Sequence, residues 1–126
     1  MLNKCQIIGN LGADPDMRYV ASGDAVTTFS VAVNERWKNR DGEQQERTEW
    51  FRVVVWRGLA ETCAQYLQKG RQVYVEGRLQ TRSWEDKSGS KQYRTEVIAD
   101  RVQFLSGRQP DAGESAPGID PDELPF

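Results

Sequence analysis

Residues 48–56, Thr-Glu-Trp-Phe-Arg-Val-Val-Val-Trp, hold the densest concentration of chemically useful side chains in the sequence. In an extended segment successive side chains point to opposite faces. Phe51, Val53 and Val55 therefore share one face, and Trp50, Arg52, Val54 and Trp56 share the other. With the first face inward, the second presents two indoles with a guanidinium between them. Flat aromatics give a nucleobase a surface to stack on, contributing roughly 1–3 kcal/mol per base. An intervening arginine can meet a phosphate or stack on a ring itself. A second segment repeats the pattern: Val73, Val75, Gly77 and Leu79 face one way, Tyr74, Arg78, Arg82 and Trp84 the other. Trp37 has the parity of the apolar Phe29, Val31 and Val33, but Glu35 intervenes, so Trp37-Lys38-Asn39-Arg40 reads as a mobile aromatic-basic hairpin arm. Tryptophan in a small β domain also serves as core or subunit interface. Four in about 107 residues, each with Lys or Arg within two positions, favour stacking for at least two of them.

Bond-making chemistry has little to work with. There is no histidine, which removes Ser-His-Asp and Cys-His nucleophiles, His-ligated zinc and an imidazole base. Cys5 and Cys63 form no CxxC pair and fall at apolar-periodic positions, so they read as core thiols in a reducing compartment. Carboxylates such as Glu49 and Asp100 lack metal-site spacing, which leaves a nuclease reading without support. Neither catalysis nor a metal or cofactor is expected. The apolar run 53–56 is bracketed by Arg52 and Arg57, too short for a membrane span. The first five residues lack the features of a secretory signal. The expected location is the cytoplasm.

Charge is unevenly distributed. Residues 1–108 hold all 17 Lys and Arg against 14 Asp and Glu, whereas 109–126 hold five acids and no base. A mildly basic body with an acidic end suggests two binding surfaces of opposite sign.

These side chains need a scaffold of strands. Cys5, Ile7 and Gly9 alternate with Lys4, Gln6 and Ile8, and 17–20 can extend the same strand beyond the Gly12 to Asp16 punctuation. Phe29, Val31 and Val33 alternate with Thr28, Ser30, Ala32 and Asn34, the signature of a half-buried strand. Residues 37–46 read as a long polar loop around Asp41-Gly42, followed by the strand 48–56. Residues 58–68 are the one helical segment, with Leu59, Cys63 and Leu67 on one face and Gly70 placed to end it. A strand through residues 73–79, a turn at 86–89 and a last strand about 92–104 complete the series. The order β-β-β-α-β-β predicts an all-β domain with one helix, the five-stranded Greek-key barrel of the OB-fold, over 1–107. Parity leaves Phe51 and Tyr74 as either core or subunit interface. Lys69 and Arg71 flank the helix end, where they serve either a phosphate or the helix dipole.

From Gly107 onward Gly, Pro, Ser and acids dominate, a composition too polar to offset its ordering entropy. The expectation is a short disordered linker, 108–118, and an acidic tip, 119–126. In that tip Asp120, Asp122 and Glu123 precede the apolar Leu124, Pro125 and Phe126. Such a peptide suits a partner with an apolar pocket and a basic rim.

The sequence resembles the bacterial single-stranded DNA-binding proteins with one OB-fold per subunit. The matching stretches include Ile8-Gly9-Asn10-Leu11-Gly12, Asp14-Pro15, Thr48-Glu49-Trp50, Arg52-Val53-Val54, Lys69-Gly70, Val73-Tyr74-Val75-Glu76-Gly77, Thr81-Arg82 with Trp84, Thr95-Glu96-Val97 and Pro125-Phe126. The resemblance implies a homotetramer wrapped by single-stranded DNA, with Trp37, Trp50 and Trp84 stacking bases and Trp56 standing where Phe is frequent. It implies that Lys4, Arg52, Lys69 and Arg82 track phosphates, with Lys38, Arg57 and Arg71 nearby. It further implies that the tip recruits replication, recombination and repair enzymes. The sequence departs from the family in a short linker, in Gln68 and Gln80 at places where a basic residue is common, and in Phe51 where His is familiar. A rival reading, an OB-fold adaptor that chiefly binds proteins, would not need four tryptophans together.

Overall fold

The computed structural model describes residues 1–105, so the expected linker 108–118 and tip 119–126 lie outside the described residues. The elements are β1 (Cys5–Leu11), β2 (Asp16–Tyr19), β3 (Ala25–Lys38), β4 (Gln44–Trp56), α1 (Arg57–Tyr66), β5 (Gln72–Glu85) and β6 (Lys91–Phe104). β1 and β2 are the two halves of the first strand read from the sequence. Both run antiparallel to β3, β1 through Leu11↔Val31 and β2 from Asp16↔Thr28 to Tyr19↔Ala25. The spatial order is β1-β5-β6-β4-β3-β2, and the β1–β3 pairing closes it. β4 and β6 run parallel, and the other ladders are antiparallel. The result is the expected OB-fold barrel with one helix.

Alternation places the core as the sequence predicts. Phe29, Val31, Val53, Val55, Val73, Val75 and Val97 fill the barrel, and Ala60, Cys63 and Leu67 of the α1 region pack against them. The buried Thr27 hydroxyl donates to the Ala60 carbonyl at 2.7 Å, tying β3 to the helix. Burial pushes the Cys63 thiol up to about 12. That leaves it protonated and inert at neutral pH. Phe51 is half-buried and packs on the edge of the core.

Two local readings are corrected. Both ends of the stretch 37–46 are strand: β3 and β4 stay paired out to Lys38↔Gln44. Only 39–43 turn, with Asn39 Oδ1 accepting the N–H groups of Asp41 at 3.0 Å and Glu43 at 2.9 Å. This arm extends beyond the core, so both of its faces are polar and the alternation signal vanishes. Secondly, α1 ends at Tyr66 because Leu67 turns extended (φ −89°, ψ 151°) and is buried. Gly70 is left-handed at φ 89° but shapes the following turn, where its N–H donates to Leu11 O at 2.9 Å. In addition, β6 carries an extra residue, Asp100, where Glu76↔Arg101 is followed by Gly77↔Ala99. A Cβ on Gly77 would collide there with the Ile98 carbonyl. Because the bulge lies on β6, β5 keeps its own parity through to Trp84.

Candidate nucleic-acid interface

The sheet order makes β6 the neighbour of both β5 and β4. Residues opposite one another across a ladder share a face. Register then assembles one outer surface: Arg18 beside Val26, Thr28 beside Val54, Ser30 beside Arg52 and Val26 beside Trp56. On its other side Gln80 lies beside Glu96, Arg82 beside Arg94 and Trp84 beside Gln92. Between these rows runs a groove of about 270 Å³ lined by Arg18, Val26, Thr28, Arg52, Val54, Trp56, Gln80, Arg82, Glu96 and Ile98. Val54, read from parity as outward-facing, is only 7 % exposed. It keeps that parity but lies at the bottom of the groove, covered by its longer neighbours.

All four tryptophans are exposed: Trp37 46 %, Trp50 59 %, Trp56 42 % and Trp84 38 %. Such a large apolar side chain usually gains most from burial, and the barrel core contains none of them. Trp50 lies over Gly12, where an added Cβ would stand 2.5 Å from Cζ3 and 2.8 Å from Cη2. The bare glycine is therefore the seat of this ring. Trp56 lines the groove. Trp84 has two guanidiniums over it, Arg82 at 5.3 Å and Arg94 at 5.6 Å. Trp37 keeps the parity of the core residues of β3, but out on the arm that face meets solvent and Arg47, 5.9 Å from its ring.

The predicted cations occupy different situations. Arg52 and Arg82 converge on one buried carboxylate, Glu96, at 2.7 Å and 3.3 Å. Lys4 is absent from the groove lining. Its Nζ sits 2.9 Å from Glu76, which also accepts the Tyr74 hydroxyl at 2.5 Å. The Tyr74 hydrogen bond, then that of Lys4, hold the Glu76 carboxyl down to about 2. Tyr74 is itself buried. Lys38 ends β3 on the arm. Arg57 makes the turn from β4 directly into α1 with φ 61° and stands 3.8 Å from Asp24. Lys69 and Arg71 lie in the turn before β5, beyond the last helical turn, and the Lys69 N–H donates to Asp14 at 2.8 Å. Asp120, Asp122, Glu123, Leu124, Pro125 and Phe126 lie outside the described residues.

Sequence reasoning missed Arg18, Glu96, Ile98 and Arg94. The signal for the last three was present: if Tyr93, Thr95, Val97 and Ala99 face one way, Arg94, Glu96 and Ile98 face the other. What the sequence lacked was the β4–β6 register that places them beside Arg52. Among the described residues no group of His, Cys, Asp and Glu is arranged to hold a metal ion. No helix among them is long and apolar enough to cross a membrane.

The model of the single-strand binding protein family matches residues 2–105. The chain is 52 % identical over 115 residues to single-stranded DNA-binding protein 1 of Chlorobaculum tepidum, spanning 90 % of this chain and 71 % of that protein. It is 52 % identical over 109 residues to single-stranded DNA-binding protein 1 of Xylella fastidiosa, spanning 86 % and 80 %. Among solved structures, a Plasmodium falciparum SSB complex with ssDNA matches with a TM-score of 0.79 and 38 % identity. That match covers 84 % of this chain and 97 % of that one.

Proposed function

This chain belongs to the single-strand binding protein family, and we propose that it binds single-stranded DNA without sequence preference and catalyses no reaction on it. The observation that carries the reading is the exposure of all four tryptophans, with Trp56 lining a groove that Arg18, Arg52 and Arg82 also line. Bases stack on Trp50, Trp56, Trp84 and Trp37, and any base serves because every base has a π-face. Arg52 and Arg82, together with Lys38, Arg57, Lys69 and Arg71, meet the phosphates, so affinity falls with salt through counterion release. A duplex keeps its bases stacked inside and offers the indoles nothing.

The same reading extends to assembly and partners. One OB module covers on the order of 4–16 nucleotides, and a homotetramer lets a longer strand wrap. The acidic segment 119–126 docks replication, recombination and repair proteins, on the strength of its sequence alone. Light scattering at micromolar concentration tests the tetramer, and a stable monomer refutes it.

The deciding experiment is a tryptophan-fluorescence titration with oligo-dT and with a duplex of equal length, at low and high salt. Strong quenching by the single strand alone, weakening with salt, is the expected result. No quenching, or an equal response to duplex, would shift the reading to a protein-binding adaptor.

A further inference from the structure

The groove contains an acid where a phosphate-binding surface gains nothing from negative charge. Glu96 sits on β6, the strand flanked by β4 and β5, and its side chain is only 7 % exposed. From β4, Arg52 donates its Nε to Glu96 Oε2 at 2.7 Å. From β5, Arg82 brings its Nε to 3.3 Å from Oε1 and its terminal Nη2 to 3.4 Å from Oε2. The two guanidiniums are 36 % and 54 % exposed at the side chain, so the acid is covered while the bases remain accessible.

A guanidinium has five N–H donors in a rigid fork. Arg52 turns its Nε edge inward to Glu96, which leaves its terminal N–H groups facing the groove. Arg82 comes from the opposite side and gives Glu96 both Nε and one terminal nitrogen, Nη2, which leaves Nη1 for a phosphate. Without the acid, each long side chain would sample many rotamers and lose that freedom on binding. Arg82 also stands directly opposite Arg94, a like-charge pair that repels and would push Arg82 away from Trp84. One carboxylate thus fixes two cations at a set spacing, at the cost of cancelling one of their charges.

Resting on the single-strand reading above, we propose that Glu96 is a positioning residue of the interface, acting through Arg52 and Arg82 and touching no nucleotide itself. The test has a sign that separates this from simple charge cancellation. Glu96→Gln keeps the shape and adds one net positive charge to the groove. If Glu96 only offsets charge, oligo-dT binding tightens. If it positions the arginines, binding weakens, and we expect a three- to tenfold rise in Kd.

The titration is run on the full chain across a salt series. A lost phosphate contact makes the log Kd against log salt slope shallower by about 0.7, whereas a partly unfolded preparation loses active fraction without changing slope. In an Arg52→Ala/Arg82→Ala background, adding Glu96→Gln should change Kd by less than twofold. Tighter binding by Glu96→Gln, or an equal loss without the arginines, overturns the proposal. Arg52→Lys provides a second arm should Glu96→Gln fold poorly: it keeps the charge but not the fork, and should bind severalfold more weakly. Binding within twofold of the wild type there would also overturn it. A wild-type chain that ignores oligo-dT sinks the single-strand reading and this role together. Wild-type binding with a tighter Glu96→Gln sinks only the role of Glu96.

Discussion

Gly12→Ala isolates the seat of one indole from everything else in the interface. The φ of Gly12 lies outside the left-handed region, so alanine fits the backbone without strain. Its methyl would nonetheless stand 2.5 Å from Trp50 Cζ3 and 2.8 Å from Cη2, whereas carbon atoms settle at about 3.5–4.0 Å. The ring must therefore move by about 1 Å. Trp50 is 59 % exposed and has solvent to move into, so the fold loses less than about 1 kcal/mol. The effect falls on binding. A stacked base contributes roughly 1–3 kcal/mol; losing about half of that raises Kd about two- to tenfold. The assay is fluorescence titration with a short oligo-dT at fixed salt, on wild type, Gly12→Ala, Trp50→Ala and the double variant. The salt slope should stay constant, since no phosphate contact is touched. Gly12→Ala should add nothing once Trp50 is gone. Wild-type affinity for Gly12→Ala, or an undiminished loss in the Trp50→Ala background, would refute the reasoning.

Arg57→Gly removes a left-handed arginine, relieving about 1–2 kcal/mol against the 0.5–1 kcal/mol entropy of glycine. A rise in stability of about 0.5–1 kcal/mol in urea titration should therefore accompany weaker DNA binding; a less stable variant counts against the strain. Glu76, held at about 2 against its ordinary 4.5, adds stability that is fully present above pH 4.5 and lost as pH falls towards 2. Melting curves of wild type and Glu76→Gln should thus converge over that window and stay separated by a constant gap at pH 5–8; a gap that does not close on acidification refutes the linkage. If Asp120, Asp122 and Glu123 compete with DNA for the groove, deleting 119–126 should tighten binding about two- to fivefold at low salt but not at high salt. Unchanged low-salt affinity excludes that competition.

Much of this was legible in the residues, for definite reasons. Where one side of a strand is buried, as at Phe29–Val31 and Val53–Val55, alternation states both the strand and its inner face. By the same logic alternation turns Trp50, Arg52 and Trp56 outward without any knowledge of register. Legibility fails where burial does. The β3–β4 arm has no buried side, so residues 37–46 resemble one loop although 37–38 and 44–46 are paired strand. It fails again where two strands distant in sequence meet. Nothing within 92–104 says that Glu96 will stand between Arg52 and Arg82, because that depends on the parallel β4–β6 pairing.

The same distinction decides which cations do the binding, since a sequence counts charges and a structure counts charges left over. Lys4 has the right type and place in the sequence, yet its Nζ is 2.9 Å from Glu76, outside the groove lining. Freeing it for a phosphate would leave Glu76 without one of the two hydrogen bonds that most stabilise its charge. Arg94 shows the reverse. It lies 5.6 Å from the Trp84 ring, opposite Arg82, and no ion pair holds it among the described residues. A phosphate bridging Arg82 and Arg94 would relieve their repulsion just where a base would meet Trp84. Lys4→Ala should therefore leave the salt slope for oligo-dT unchanged, while Arg94→Ala makes it shallower by about 0.7. The opposite pattern would mean that DNA draws Lys4 away from Glu76, and that the ion pairs of the free protein do not survive into the complex.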